Sequence, residues 1–363
     1  MQTPMQTHLL SSTAARQRLS AWWASRLPGA SDVAVRQVEH LAAGHSNDTF
    51  AVEVSWRDGG AQHLQTFVLR TPPAGVGLLA PYDVARQFQV MRALSGSAVP
   101  VPRVLWLEEN AQVLGRPFFV MEKLDGLCIE KDVPAEIAAP QHVRRLCERY
   151  VDLIAEVHRV DWRARGLGFL GDGAAHLQRE IAWWDAEIRR HQQGELPAFD
   201  CMLDWLKQHL PPRGGPVTLV HGDAKIGNLF LRGTEVVALF DWEMAAIGDP
   251  LTDLGWASLQ WNTPSALLSN HPGALTRDEL LARYSQVSGN PVHDLPFYEG
   301  LAGLKLCAIL FVASMLYRTG RSSDPRFLRF GNEVLPKSLT KVLAIMGIDR
   351  PVPAGDIAAM VAA

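Results

Sequence analysis

The sequence predicts an α+β protein with two lobes: a small β-rich N-lobe over residues 1–122 and a larger, mostly helical C-lobe over residues 123–363. Two observations predict this division. Short apolar runs separated by turn residues fill most of the first 122 residues, which is typical of strands. After Asp125 and Gly126, apolar residues recur mainly at helical spacing. A chain of 363 residues is long enough to bury two cores.

The N-lobe is predicted to be an N-terminal helix followed by an antiparallel sheet. Pro28 and Gly29 end the first helix, and the turn at residues 58–60 favours a hairpin between two strands. Helices are predicted at residues 9–27 and 84–94, and strands at residues 33–41, 49–56, 64–70, 101–107 and 117–124. We expect the junction near residues 121–126 to be the hinge between the lobes.

The C-lobe is predicted to be helical, with one β-rich interlude at residues 218–240. Its most apolar stretch, residues 301–317, is interrupted by Lys305 and is short for a membrane span, which favours a buried core helix. The predicted helices cover residues 141–158, 177–190, 199–210, 251–261, 277–287, 296–317 and 325–345.

Composition favours a soluble globular protein without nucleic-acid or membrane partners. The formal net charge of −3 lacks the basic footprint of a nucleic-acid binder. The four cysteines show no C-x-x-C spacing and are expected to be reduced thiols. No basic region precedes a long apolar run at the N-terminus, so we expect a cytoplasmic protein. The sequence carries no signal for an oligomeric state.

One polar segment between two apolar strands carries the chemistry. Asp223 and Asn228 follow the apolar run at residues 217–220, and Asp241 follows the apolar run at residues 236–240. Magnesium prefers a few carboxylate or carbonyl oxygens together with phosphates and water. Phosphoryl transfer needs such an ion and a carboxylate that accepts the proton of the acceptor hydroxyl.

The pattern His221-Gly222-Asp223, then Asn228, then Asp241 resembles the catalytic core of the aminoglycoside phosphotransferase and choline kinase-like family. That resemblance implies a protein-kinase-like fold with two lobes. It also implies that Asp223 is the catalytic base and that Asn228 and Asp241 bind one or two Mg²⁺ ions.

Three further residues resemble the parts of the family motif that support the catalytic loop. His221 is expected to orient the loop. Asp249 and Asp253 resemble the acids of a G-D-P-x-x-D-L segment, and we expect them to brace the catalytic loop from the next helix.

The loop at residues 43–49 resembles the family's phosphate-covering loop, so Gly44, Ser46 and Asn47 are expected to contact ATP or GTP. Small residues allow backbone amides to approach phosphate oxygens. A plain hairpin turn is the alternative interpretation of this loop.

Arg70 ends a run, Phe67-Val68-Leu69, that resembles the strand on which kinases carry a phosphate-binding cation. Arginine followed by two prolines resembles the subgroup related to the kinase-like domain attached to some acyl-CoA dehydrogenases. In that subgroup a glutamate on the next helix pairs with the cation. This chain has Gln87 there, which can accept a hydrogen bond from Arg70 but brings no charge.

The run at residues 118–122 resembles the hinge strand of a kinase. Backbone groups near Met121 and Lys123 are expected to bind the nucleotide base, and Met121 could line an apolar slot for it. A simple buried strand is the alternative, and both interpretations can hold.

Together these features predict an ATP- or GTP- and Mg²⁺-dependent small-molecule kinase that transfers a γ-phosphoryl group to a substrate hydroxyl. The subgroup resemblance implies a hydroxyacyl compound or another metabolic alcohol as the acceptor. Two alternatives stay open. One is a catalytically impaired pseudokinase that binds nucleotide or an acyl ligand. The other is an aminoglycoside-type antibiotic kinase, although the helix at residues 177–190 mixes acidic and basic residues where a cationic antibiotic would need acids.

Overall fold

The computed structural model describes residues 10, 12–41, 47–73, 75, 77–78, 81–129, 132–212, 215–261, 263, 266 and 268–349. The chain divides into two compact units. The first unit is Met1–Arg92 with Pro102–Asp125, and the second is Ala93–Val101 with Gly126–Ala363. The first unit is built on an antiparallel sheet and the second is mainly helical, which is the predicted α+β architecture.

The first unit is built on one five-stranded antiparallel sheet with the strand order β1-β2-β3-β5-β4. Its elements are α1 (Thr13–Arg26), β1 (Ser31–Leu41), β2 (Asp48–Asp58), β3 (Ala61–Thr71), α2 (Val84–Leu94), β4 (Val104–Glu108) and β5 (Phe118–Glu122). Each of the first three strands has eleven residues and pairs antiparallel with its neighbour in the sequence, and Gly59 and Gly60 form the turn between β2 and β3.

The core of the first unit lies between α1 and one face of the sheet. Ser12 caps α1 by accepting a hydrogen bond from the amide of Ala15 at 3.2 Å. Trp22 and Trp23 are buried on this helix, and the ring of Trp22 meets Phe118 of β5 edge-on, with the ring centres 4.9 Å apart. Aromatic burial therefore fixes the helix on the sheet.

The second unit is a helical body that carries short strands. Its helices are α3 (Pro140–His158), α4 (His176–His191), α5 (Pro197–Gln208), α6 (Leu251–Gln260), α7 (Arg277–Ser288), α8 (Leu295–Arg318), α9 (Pro325–Arg329) and α10 (Leu335–Ile345), and its strands are β6 (Leu127–Cys128), β7 (Thr218–Val220), β8 (Leu229–Arg232), β9 (Glu235–Leu239) and β10 (Ala246–Gly248). Strands β6, β8 and β9 form one small sheet, and β7 pairs with β10.

Helix α8 is the central helix of the second unit. By length and composition it could cross a membrane, but 83% of its most apolar 18-residue stretch is buried inside the protein. Helix α8 packs closely on α6. A Cβ atom at Gly255 of α6 would lie only 2.6 Å from the backbone of Tyr298 of α8, so glycine permits this close approach. This burial is that of a core helix.

The structure differs from the predicted elements in the shortest ones. Strands β6 and β10 have two and three residues, which is too short for an alternating pattern to show in the sequence. The helix predicted at residues 325–345 is interrupted by one π-helical turn at Phe330–Val334, where Gly331 faces Ser314 of α8. A side chain at Gly331 would collide with Ser314, so tertiary packing and not local propensity sets this irregularity.

Candidate active site

The predicted catalytic loop, residues 221–228, connects β7 to β8 in the second unit. Strand β7 is anchored by pairing with β10, and a short 3₁₀ turn at Ile226–Asn228 leads into the β8–β9 hairpin. This hairpin returns the chain to the end of the loop. The amide of Phe240 donates to the carbonyl of Asn228 at 2.9 Å, so Asn228 and Asp241 lie at the same end of the hairpin.

Asp223 is buried, with only 8% of its surface exposed. Its Oδ2 accepts hydrogen bonds from the ammonium of Lys225 at 2.6 Å and from the amide of Asn228 at 3.0 Å. Among the described residues, Oδ1 accepts no hydrogen bond. The carboxylate is therefore oriented through one of its two oxygens.

Lys225 is a residue that the sequence interpretation missed. Burial alone would lower the pKa of its ammonium, but the carboxylates of Asp223, Asp241 and Glu243 together outweigh that effect and the pKa is raised. Lys225 thus stays charged beside Asp223. Its position two residues after the aspartate could have been noticed, because a cation there can reach the same carboxylate from an extended backbone.

Asn228 and Asp241 fit a magnesium site as a donor set. The amide nitrogen of Asn228 is committed to Asp223, where it donates to the backbone carbonyl at 2.8 Å and to the carboxylate. Its Oδ1 is therefore the atom that can bind a cation. Among the described residues no group of three or more His, Cys, Asp or Glu side chains could hold a metal. One amide oxygen and one carboxylate would hold magnesium only together with phosphate oxygens and water, which is the ion's usual environment in nucleotide sites.

Asp241 has an unusual backbone. Its φ is +69°, in the left-handed region, which costs about 1–2 kcal/mol for most residues and is most readily adopted by Gly, Asn and Asp. The short turn Trp242–Met244 follows at once, and the indole of Trp242 donates to the carbonyl of Leu239 at 2.9 Å. This backbone turn ends β9 at the predicted metal ligand.

His221 connects the two halves of the site. Its Nδ1 accepts from the amide of Asp223 at 3.2 Å, and its Nε2 donates to the carbonyl of Phe240 at 2.8 Å. These partners require a neutral ring with the proton on Nε2. Burial lowers the pKa of His221, which favours that neutral form. The ring therefore links the loop to Phe240, the residue before Asp241.

Asp253 is buried beneath the loop on α6 and receives three N–H groups. The amides of His221 and Gly222 donate to it at 2.7 and 2.8 Å, and Nε2 of His158 lies 3.1 Å from it. Burial alone would raise the pKa of Asp253, but the hydrogen bonds from His158 and from the backbone amide of His221 favour the carboxylate, and the pKa is lowered. Nδ1 of His158 in turn lies 2.8 Å from the hydroxyl of Tyr284.

Asp249, the other acid expected to brace the catalytic loop, does not do so. Its carboxylate accepts from the amide of Leu251 at 3.0 Å and from the hydroxyl of Tyr298 at 2.8 Å. The reason is its position just before α6, where its side chain serves the first turn of that helix and ties it to α8. Asp253, one turn further on, is the acid that reaches the loop.

Two more side chains hold the loop through its carbonyl groups, and the sequence interpretation assigned neither. The hydroxyl of Tyr150 on α3 donates to the carbonyl of Ala224 at 2.8 Å. The ammonium of Lys305 on α8 donates to the carbonyl of Gly222. The only local signal of Lys305 is a charge within an apolar helix, and Tyr150 has none, because an apolar helical face accommodates tyrosine for packing alone.

Gly222 must be glycine. Its φ is +80°, and a side chain there would lie 2.3 Å from the carbonyl oxygen of Met244. The chain after Asp241 therefore passes directly against the loop that carries Asp223.

The residues predicted to hold the nucleotide belong to the first unit. Gly44 and Ser46 lie outside the described residues. Asn47 is described and is 7% exposed. In β3, Arg70 lies opposite Thr49 of β2 and Phe119 of β5.

The hydrogen bond expected between Gln87 and Arg70 is absent. Gln87 is 1% exposed, and neither its amide nitrogen nor its amide oxygen has a hydrogen-bond partner among the described residues. A glutamate at this position would be drawn to the guanidinium by its charge, whereas a neutral amide is not. With glutamine in place of the glutamate usual in the subgroup, the contact with Arg70 is therefore lost and not merely weakened.

Met121 and Lys123 occupy the end of β5 and the residues after it. Met121 is buried opposite Val68 of β3. The ammonium of Lys123 lies 3.6 Å from the carboxylate of Asp125. Their proposed contacts with a nucleotide base stay predictions.

The sequence profile described as "Phosphotransferase enzyme family" matches residues 37–296, more than half of the chain. The chain belongs to the phosphotransferase enzyme family. The kinase-like fold that the motif resemblance implied is thereby confirmed.

Curated relatives of this chain are considerably longer than the part that matches it. Mouse acyl-CoA dehydrogenase family member 10 is 30% identical over 293 residues, which are 77% of this chain and 26% of that protein. Human acyl-CoA dehydrogenase family member 11 is 27% identical over 323 residues, 86% of this chain and 40% of that protein. The chain thus spans well under half of these relatives, and the subgroup resemblance is confirmed.

Solved structures agree with this assignment. A candidate aminoglycoside phosphotransferase from Ralstonia eutropha shares 28% identity and a TM-score of 0.74, over 91% of this chain and 98% of that one. A ternary complex of aminoglycoside phosphotransferase APH(4)-Ia with ADP and hygromycin B shares 16% identity and a TM-score of 0.54, over 92% of this chain and 99% of that one. The second likeness concerns the fold alone.

Proposed function

We propose that this phosphotransferase is a magnesium-dependent kinase that moves the γ-phosphoryl group of ATP or GTP to the hydroxyl of a small molecule. One observation carries the proposal. Asp223 is oriented through Oδ2 while its Oδ1 accepts no hydrogen bond among the described residues, and Asn228 and Asp241 lie at the same hairpin end beside it.

The chain's own residues suffice for the proton and positioning steps. Oδ1 of Asp223 accepts a hydrogen bond from the acceptor hydroxyl and takes its proton as the new O–P bond forms and the bond to the leaving diphosphate breaks. Asn228 and Asp241 would hold magnesium, which when bound neutralises charge on the phosphates. Lys225 keeps the carboxylate turned towards the acceptor.

Support for the first unit as the nucleotide-binding part comes from the family resemblance. In solved complexes of APH(4)-Ia the nucleotides are ADP and AMP-PNP. We propose that Asn47, Arg70 and the backbone near Met121 bind the nucleotide here. Turnover with ATP and with GTP in the same assay identifies the preferred nucleotide.

The proposed acceptor is a hydroxyacyl compound or a related metabolic alcohol. The relatives named as acyl-CoA dehydrogenase family members support this class, because this chain matches a part of each of them. An aminoglycoside is the competing acceptor, since similar solved structures carry that name.

The test is phosphoryl transfer by the purified chain with magnesium and ATP or GTP. Its acceptor panel should contain hydroxy fatty acids, hydroxyacyl thioesters and hygromycin B. Asp223→Asn should lose turnover by a factor of at least about 10², in line with the loss of a general base, and should retain nucleotide affinity in a thermal-shift titration. Unchanged turnover in that variant would remove Asp223 from the role of base.

A pseudokinase is the second candidate function, and the unpartnered amide of Gln87 among the described residues favours it. Nucleotide-dependent stabilisation without transfer to any acceptor would support it. Gln87→Glu provides the discriminating variant, because a restored ion pair with Arg70 should raise turnover in an impaired enzyme. No gain in that variant would count against impairment through Gln87.

A further inference from the structure

Lys305 is buried in the middle of α8, with 3% of its surface exposed. Its ammonium donates to the carbonyl of Gly222 and lies 4.6 Å from the centre of the Trp256 ring, above its face. Burial lowers the pKa of this amine. A buried charge costs several kcal/mol after relaxation, so a leucine or methionine would suit a core helix better unless the amine has a task.

The group that Lys305 holds is the peptide between Gly222 and Asp223. The carbonyl of this peptide accepts from Lys305, and its N–H donates to Nδ1 of His221 at 3.2 Å. The preceding peptide is held separately, because its N–H donates to Asp253 at 2.8 Å. Both ends of the peptide that leads into the proposed base are thus tied to buried side chains.

This peptide needs such partners because it follows a glycine. Gly222 is required by the close approach of Met244, yet a glycine restricts the rotation of its flanking peptides less than any other residue. Without an external donor, the carbonyl of Gly222 could turn away and carry the Cα of Asp223 with it. A misplacement of about 1 Å in a reacting group can cost roughly 10² in rate.

We propose that Lys305 is a positioning residue that fixes the Gly222–Asp223 peptide and thereby aims the carboxylate of Asp223. This inference rests on the proposed kinase function. The amine acts through the loop and does not contact the reactants. It donates its hydrogen bond whether or not it is protonated, so the role does not depend on its charge state.

Removing the amine of Lys305 should lower activity without lowering stability. Lys305→Met keeps the length and much of the volume of the side chain but removes the donor. Replacing a buried charged group by an apolar one is often neutral or stabilising, so the unfolding midpoint should be unchanged or higher. The turnover number should nevertheless fall about 10- to 100-fold, with the KM for the acceptor changed by less than about threefold. Lys305→Arg should recover part of the turnover.

Lys341 provides the matched control. Its ammonium also donates to a backbone carbonyl, that of Leu259 at 2.9 Å, but at the end of α6 and away from the catalytic loop. Lys341→Met should therefore leave the turnover number within about twofold of the unmodified protein.

Two measurements on the full chain decide the question. The first is steady-state transfer with Mg-ATP and an acceptor found in the panel, or Mg-ATP hydrolysis by water when no acceptor is found. The second is hydrogen exchange of the amides of Gly222 and Asp223 without ligands. Faster exchange of these amides in Lys305→Met than in Lys341→Met, with lower turnover, supports the proposal.

Unchanged exchange and turnover in Lys305→Met overturn the positioning role and leave the kinase proposal intact. A raised acceptor KM with an unchanged turnover number also overturns it, because the amine would then bind substrate. If the unmodified protein turns over no substrate, the kinase proposal fails, while the exchange comparison still decides the role of Lys305. Should Lys305→Met not fold, Lys305→Leu, which also lacks a donor, is judged by the same criteria.

Discussion

Replacing Asp253 by asparagine removes one buried negative charge and converts one carboxylate oxygen into an N–H donor, with almost no change in volume. In the structure both oxygens are occupied by N–H groups. Oδ1 accepts from the amide of Gly222, and Oδ2 accepts from the amide of His221 and faces Nε2 of His158. In either orientation, the amide nitrogen that the substitution introduces would face at least one backbone N–H group.

The magnitude follows from that mismatch. The variant loses at least one hydrogen bond to a charged acceptor, about 1.5–3 kcal/mol, and leaves a buried N–H unsatisfied. Breaking a buried ionic contact on one side typically costs about 3–5 kcal/mol, so we expect a loss of roughly 2–4 kcal/mol in the free energy of unfolding. Urea unfolding followed by circular dichroism measures it.

Asp249→Asn is the control for this substitution. The carboxylate of Asp249 accepts from one backbone amide and from the hydroxyl of Tyr298. A hydroxyl can rotate and accept from the new amide, so this variant should lose less than about 1 kcal/mol. A loss in Asp253→Asn that is no larger than in Asp249→Asn would refute the reasoning.

The pH dependence of the free energy of unfolding tests the role of Asp253 independently. The pKa of Asp253 is lowered from its ordinary value of 3.8, so its contribution is complete above that value and disappears as the pH falls through the lowered pKa. The stability difference between the unmodified protein and Asp253→Asn should therefore be complete at a pH of about 5 and shrink in stronger acid. A difference that does not shrink in stronger acid would contradict the assignment.

Two further predictions concern the loop and the thiols. Gly222→Ala combines a left-handed φ with a collision against Met244, and should cost about 2–4 kcal/mol of unfolding free energy, whereas Gly233→Ala, with φ +58° and no neighbour within 4 Å, should cost about 1–2 kcal/mol. Equal losses in urea unfolding would show that the collision relaxes. Burial raises the pKa of Cys147 to about 11 and also raises that of Cys307, while Cys128 and Cys201 are half-buried. Ellman's reagent at a pH of about 8 should therefore titrate two thiols in the native protein and four after denaturation; rapid reaction of all four in the native protein would contradict this burial.

Much of this protein could be predicted from local patterns. In the eleven-residue strands of the N-lobe and the long helices of the C-lobe, apolar residues recur at a regular spacing. The predicted bounds of these elements therefore agree with the observed ones to within a few residues. The order of the proposed site residues along the chain could also be read from local patterns. Asp223 comes shortly after β7, Asn228 directly precedes β8 and Asp241 comes shortly after β9, so the β8–β9 hairpin brings Asn228 and Asp241 to the same end.

The sequence by itself therefore determined the two-lobed α+β class, the family and the short segment that carries the proposed chemistry. Only the tertiary structure decided what holds that segment in place. His158 reaches Asp253 across 95 residues of chain, Lys305 reaches Gly222 across 83, and Tyr150 reaches Ala224 across 74. Viewed only along its own helix, each of these side chains resembles an ordinary core residue or a single polar residue in an apolar run. The spacing of apolar residues indicates which face of a helix is buried, but it does not indicate which residues that face contacts. For the same reason the sequence suggested a bond between Gln87 and Arg70, which the packing of the first unit does not form.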